Sequence, residues 1–221
     1  DNRTGFKRND LIAKVSAQTD NPDGVNHLFE LKFGFANETS DETYVGLSEA
    51  DFALRPYFRY AGAQRDQLTT RHMQWVGTYV VEKNNKWKIT TNLYYNNKDY
   101  FDILTGAKDY LGEALMLRAN HRKYHSRGIQ SKAEYRTMLM GGYFTAEAGL
   151  RYHADSEDRF QQDDAYAMQN GTMTLFLEGL PGSQANRITT AHAWAGYALT
   201  KWAKDALTLT LGVRYEDVDL L

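Results

Sequence analysis

The chain has no cysteine and only three prolines among 221 residues. Without cysteine there can be neither a disulfide framework nor a thiolate metal site. No stretch approaches the ~18 consecutive apolar residues that a membrane helix needs. The opening DNRTGFKRND lacks the apolar segment of a signal peptide. A dominant charge is missing too. Twenty-six Lys and Arg stand against 28 Asp and Glu, a formal net charge of −2, so the basic balance of a nucleic-acid partner is absent. Nor is there a G-x-S-x-G, a P-loop or a G-x-G-x-x-G. No catalytic residue is expected, and no nucleic acid.

What the chain does have is aromatics, at 13% with fifteen tyrosines, and a period of two. About eight segments of ~10 residues alternate, the pattern of strands with one apolar face. Leu11, Ala13, Val15 and Ala17 oppose Lys14, Ser16 and Gln18. Phe29, Leu31, Phe33 and Phe35 oppose Glu30, Lys32 and Gly34. Met73, Trp75, Tyr79 and Val81 form a third set, and Trp87, Ile89, Leu93 and Tyr95 a fourth. Ile129, Ala133, Tyr135 and Leu139 oppose Gln130, Lys132, Glu134 and Arg136. Phe144, Ala146, Ala148, Leu150 and Tyr152 follow. A weaker segment at 191–200 puts Ala193, Ala195, Tyr197 and Leu199 on one side. Leu207, Leu209, Leu211, Val213 and Tyr215 close the series.

Connections come in two lengths. DNPDG (20–24), EKNNK (82–86), MGG (140–142) and AKDA (203–206) are turn-like, whereas long connections are expected at about 39–69, 98–126 and 155–187. Short turns at one end and long loops at the other is the arrangement of outer-membrane barrels. Trp75, Tyr79, Trp87, Tyr95, Tyr135, Tyr152, Tyr197 and Tyr215 fall near segment ends, where aromatic belts sit at a membrane surface. The fold class expected is all-β, a transmembrane antiparallel β-barrel. A soluble β-sandwich, a lipocalin-like barrel and an independently closed eight-stranded barrel are the alternatives that alternation leaves open.

Several stretches, in order along the chain, resemble the TonB-dependent outer-membrane receptors, in particular their ferric dicitrate branch. They are ETYVGLSEADFALRPYFRYAGAQRDQL (42–68), RANHRKYHSRGIQ (118–130), DRFQQDDAYAMQNGTM (158–173), PGSQANRI (181–188) and LGVRYEDVDL (211–220). The resemblance implies a barrel of about 22 strands around an N-terminal plug, in the bacterial cell outer membrane. Residues 1–221 would then be about eight strands from its middle, with the plug, its TonB box and the C-terminal strands outside this stretch. The partners implied are a ferric siderophore or ferric citrate, the TonB complex acting through the plug, and the lipid and lipopolysaccharide of the outer membrane. Uptake of haem, cobalamin or an oligosaccharide is the alternative within the same family. No intrinsic cofactor is implied, because iron arrives already wrapped as a ferric chelate.

Such chelates are mostly anionic, and arginine offers paired planar donors to carboxylates. Arg55, Arg59, Arg65, Arg71, Arg118, Arg122, Arg127 and Arg159 lie in the long connections and adjoining strand ends, interleaved with Tyr57, Phe58, Tyr60, Tyr110, Tyr124 and Phe160. The expected ligand-binding set is Arg59, Arg65, Arg118, Arg122, Arg127, Arg159, Tyr60 and Tyr124. No metal site is expected: His121 and His125 stand four apart, but no third convergent ligand accompanies them. NGT at 170–172 matches a glycosylation sequon and carries no further meaning in this setting.

Overall fold

A strand with one face in an apolar medium has its register fixed, since a one-residue slip would turn every apolar side chain to the wrong side. The computed structural model describes residues 4–105 and 114–221, and in it the alternating segments pair in sequence order. The strands are β1 (Phe6–Thr19), β2 (Val25–Ser40), β3 (Gln67–Lys83), β4 (Trp87–Thr105), β5 (Ala114–Leu139), β6 (Gly142–Gln169), β7 (Thr172–Leu177), β8 (Ala185–Lys204) and β9 (Leu207–Leu220). All pairings are antiparallel. They run β1 to β6 in order and then to β8 and β9, while β7 folds back on the upper end of β6. Among the described residues β1 pairs only with β2 and β9 only with β8, so the sheet is open.

The register aligns one apolar face across all eight path strands. Ala13, Phe33, Trp75 and Tyr95 stand in one row, and Ala133, Ala148, Ala198 and Val213 in another. This face is uncovered. Leu211 is 75% exposed, Val213 70% and Leu150 69%. Among the described residues the one buried apolar cluster, Leu117, Tyr166 and Met173, lies far above, at the long-connection end. A sandwich would cover such a face with a second sheet. An uncovered apolar face of this extent needs an apolar surrounding.

Aromatics mark the limits of that surrounding. Trp87 and Tyr95 on β4, Phe144 and Tyr152 on β6, and Trp194 and Trp202 on β8 each stand eight residues apart. Eight residues at ~3.3 Å on a strand tilted by ~40° rise ~20 Å, close to the ~25 Å apolar band of outer-membrane barrels once the rings are added. No described helix is long and apolar enough to cross a membrane; here the strands would do so.

The opposite face is a charge ladder. Lys14 meets Glu30 at 2.6 Å, Lys132 meets Glu134 and Glu147 at 2.9 and 3.0 Å, and Arg136 meets Glu134 at 2.8 Å. Tyr197 belongs here, with its hydroxyl on Glu147. Register places Trp194, Gly196, Ala198, Thr200 and Trp202 on the outer face of β8 instead, so the expected belt position of Tyr197 is corrected to the inner face. The alternation of small residues in AHAWAGYALT conceals which side is apolar. Gly149, opposite Tyr197, makes room for the ring: a Cβ there would come within 2.2 Å of it.

Two of the three expected long connections are also corrected. Most of 98–126 and 155–187 is strand. β5 has 26 residues and β6 has 28, against the ~10 that cross a membrane, so both continue well beyond the upper belt. Their ends are two-residue hairpins with positive φ at both positions. Met140 and Gly141 (φ 52° and 74°) join β5 to β6, and Asn170 and Gly171 (49° and 79°) join β6 to β7. That backbone suits the twist of paired strands. Tyr110 lies outside the described residues.

Candidate functional site

Above the upper belt, β4, β5, β6 and β8 form a tall wall whose inner face continues the polar face of the band below. One row of that face carries Tyr100, Arg122, Arg159 and Arg187 directly opposite one another on four neighbouring strands. Like charges facing each other across strands repel, and the three adjacent arginines form a cationic row. Only one carboxylate approaches the three within 4 Å among the described residues: Glu157, 3.8 Å from Arg122 Nε. Arg122 is otherwise steered by neutral acceptors, Asn120 Oδ1 at 3.1 Å and the Tyr124 hydroxyl at 3.3 Å. Arg159 donates to Gln161 Oε1 at 3.0 Å, while its buried Nε has no hydrogen-bond partner among the described residues. Arg187 is exposed.

The next row is polar and buried: Asp102, Asn120 and Gln161, with Asp102 only 4% exposed. Tyr100 donates to Asp102 Oδ2 at 2.8 Å. Burial, and then the adjacent carboxylate, raise the Tyr100 pKa above its ordinary value, so the phenol stays a neutral donor. Arg118 already grips Asp163 with both edges of its fork, at 3.1 and 3.0 Å.

The eight expected residues therefore separate. Arg122, Arg159, Tyr124 and Arg118 share the inner face of the wall. Arg59 is a buried structural cation, 4% exposed, donating to the carbonyl oxygens of Asp66 and Glu42. Tyr60 precedes the 3-10 turn Ala61–Ala63. Arg65 stacks 5.0 Å over the ring of Tyr166, on the outer side of the wall. Arg127 is in register with Tyr95, also on the outer side. Arg187 was missed because PGSQANRI reads as a loop, with no period to show that its arginine begins a strand.

The β2–β3 connection, which contains α1 (Glu49–Leu54) capped by Ser48, is pinned by a buried knot at the top of β3. Asp66, 1% exposed, accepts from the Thr105 amide and the Thr43 hydroxyl at 2.8 and 3.0 Å. The Thr105 hydroxyl lies 2.8 Å from both the Asp66 carboxylate and the Gly62 carbonyl. Burial is the largest influence on Asp66 and raises its pKa against the opposing hydrogen bonds. A carboxyl with a raised folded-state pKa holds its stabilisation below the ordinary aspartate pKa and loses it as pH climbs through the raised one. Hydrogen exchange at the Thr105 amide, corrected for intrinsic rate, is therefore expected to quicken across that range, and the Asp66→Asn variant is expected to show no such dependence.

Among the described residues no three His, Asp or Glu side chains gather to hold a metal ion.

A one-layer meander with an uncovered apolar face, aromatic belts and a charged inner face defines a wall of an outer-membrane-type β-barrel. The chain belongs to the family described as TonB dependent receptor-like, beta-barrel, which matches residues 12–221. This is a family of transport receptors rather than enzymes. The ferric citrate transporter FecA in its unliganded form is similar at a TM-score of 0.70 and 20% identity, over 98% of this chain and 30% of that one. Fiu, a ferric-catecholate import receptor of E. coli K12, gives 0.63 and 12%, over 98% and 38%. BauA, the ferric preacinetobactin receptor of Acinetobacter baumannii, gives 0.59 and 9%, over 98% and 34%. At these identities the likeness shows a shared fold. The chain spans about a third of the length of each. A comparison with curated protein sequences gave no match.

Proposed function

We propose that these strands are part of the wall of a plugged outer-membrane receptor that binds an anionic ferric chelate from outside and imports it with TonB-supplied energy. In this reading residues 1–221 lie within the barrel domain, and strands outside this stretch pair with the open edges of β1 and β9. Unpaired backbone in lipid would otherwise be prohibitive. The observation that carries the ligand class is the row Arg122, Arg159 and Arg187, facing the lumen above the membrane. A carboxylate-rich chelate of the citrate type would satisfy the three guanidiniums with paired hydrogen bonds, Tyr100 and Tyr124 being the neighbouring neutral donors. Iron would enter as cargo inside its chelator.

The test is equilibrium binding of iron chelates of different net charge to the full-length receptor. Ferric citrate is expected to bind more tightly than a neutral ferric hydroxamate, and its affinity is expected to fall with salt. Equal affinity for the two, independent of salt, would show that the arginine row does not seat the chelate.

A further inference from the structure

Below Arg159 on β6, on the same inner face, stands His153, roughly 20 Å down the strand from the arginine row. The cluster around it begins with a glycine. Gly128 on β5 is in register with Tyr94 on one side and His153 on the other, and a Cβ there would collide with the tyrosine ring. The ring therefore lies across β5 and stacks on the imidazole, with centroids 5.8 Å apart. A chain of hydrogen bonds runs through the pair. Arg151 Nε donates to the Tyr94 hydroxyl at 3.3 Å. That hydroxyl meets His153 Nδ1 at 2.7 Å, and His153 Nε2 meets Asp155 Oδ2 at 3.3 Å.

The ends of this chain fix its protons. Arginine only donates, so the Tyr94 oxygen accepts from Arg151 and its own proton points at Nδ1. An ionised aspartate only accepts, so in the neutral ring Nε2 carries the proton. The other tautomer would set a bare Nε2 against the carboxylate. A second proton can therefore enter only at Nδ1. Both ring nitrogens then donate, the Tyr94 oxygen accepts from Arg151 and from Nδ1, and its O–H must turn away from the imidazole into the lumen. Around the ring, β5 presents Ser126 and Gly128, and β8 presents Ala191 and Ala193. The next charges are Glu157, beside Arg122, and the Arg214–Glu216 pair on β9. Among the described residues Arg151 has no carboxylate partner. Its guanidinium lies 5.9 Å over the Tyr94 ring and borders a pocket of about 180 Å³ on the inner wall. The other two cations of that pocket, Lys132 and Arg214, are already paired with Glu134, Glu147 and Glu216.

We propose that Arg151, Tyr94 and His153 form a second oxyanion site on the lumenal wall, one that takes a carboxylate arm of a chelate only when His153 carries its second proton. With a neutral ring, the tyrosine proton is directed at Nδ1 and an arriving carboxylate meets Arg151 alone. With a charged ring, the carboxylate meets the guanidinium, the released phenol proton and the nearby imidazolium together. Asp155 accepts from Nε2–H in both states. The site lies far enough from Arg122, Arg159 and Arg187 to hold a chelate of its own. This inference rests on the reading of the ligand as an anionic ferric chelate, and adds to it a dependence on protons that the arginine row does not have.

The test counts ferric citrate held per full-length receptor by equilibrium dialysis at saturation, at about pH 8 and about pH 5.5, on either side of the usual imidazole range. Wild type is expected to hold one chelate at the higher pH and two at the lower. His153→Asn, whose amide oxygen stands in for Nδ1 and takes no proton, is expected to hold one at both. Tyr94→Phe keeps the imidazole but has no O–H to turn, and is also expected to hold one at both. The ligand's own titration is common to all three proteins and cancels in the comparison. A second chelate at the lower pH on either variant overturns the proton switch, and one chelate on the wild type at both pH values overturns the site. Nitrogen NMR of the histidine-labelled wild type needs no variant to fold; a neutral His153 with its proton on Nδ1 would overturn the switch as well. No chelate on the wild type at either pH would instead strike the reading of the ligand as an anionic ferric chelate.

Discussion

Leu211→Arg is expected to block assembly of the barrel, while Thr210→Arg, one residue away, leaves it folded. Leu211 lies midway along the outer face of β9, four residues from Leu207 and four from Tyr215, and is 75% exposed. If that exposure is to hydrocarbon, an arginine there stands near the bilayer midplane and costs about 2–4 kcal/mol, a factor of roughly 30 to 900 in the folding equilibrium. Thr210 faces inward, opposite Lys201. A second cation at that spot meets one like charge in a hydrated lumen, about 0.2–1 kcal/mol. The measurement is the folded fraction of the full-length receptor in outer membranes, with urea midpoints for both variants. A soluble sheet with two wet faces would show the reverse or no contrast, since Leu211→Arg would then be an innocuous surface change. Equal midpoints for the two variants would therefore refute the membrane reading itself.

The same physics explains what could be read from the sequence. Within the band between Trp87 and Tyr95, one face is apolar and one wet, so the alternation is nearly unbroken and every strand core was legible, although on β8 the apolar face was not. Above Tyr95 both faces are wet. The strand from Asn96 to Thr105, and the upper halves of β5 and β6, have no polarity contrast to display, and they read as loops. The loss of signal there is a consequence of depth, not of weaker pairing: Arg122 and Arg159 remain in the same uninterrupted register as Ala133 and Ala148. The strongest local signal in that region, Asn170–Gly171, is a hairpin turn hidden in a stretch that otherwise reads as a sequon. The candidate site was half legible for a related reason. Residue type pointed to arginine, but side depends on strand parity. Without the register, Arg127 and Arg122 look alike, five residues apart and on opposite faces of one wall.

Arg159 is the most informative position in the proposed site. It lies between Arg122 and Arg187 on the inner wall, so its removal should act in opposite directions with and without ligand. In the empty receptor Arg159→Ala relieves cross-strand repulsion, and stability should be unchanged or rise by about 0.2–1 kcal/mol. With an anionic chelate bound, the same change removes the central member of a charged hydrogen-bonded cluster, about 2–5 kcal/mol, or roughly thirty-fold to several thousand-fold in Kd. Arg159→Lys keeps the charge and loses the planar fork, so its affinity should fall between the two. Isothermal titration of the full-length receptor with ferric citrate, beside urea unfolding of the ligand-free protein, reads both effects. A merely structural arginine would lose stability and affinity together. An arginine that holds the ligand loses affinity alone, and a Kd within twofold of wild type would exclude the row as the seat of the chelate.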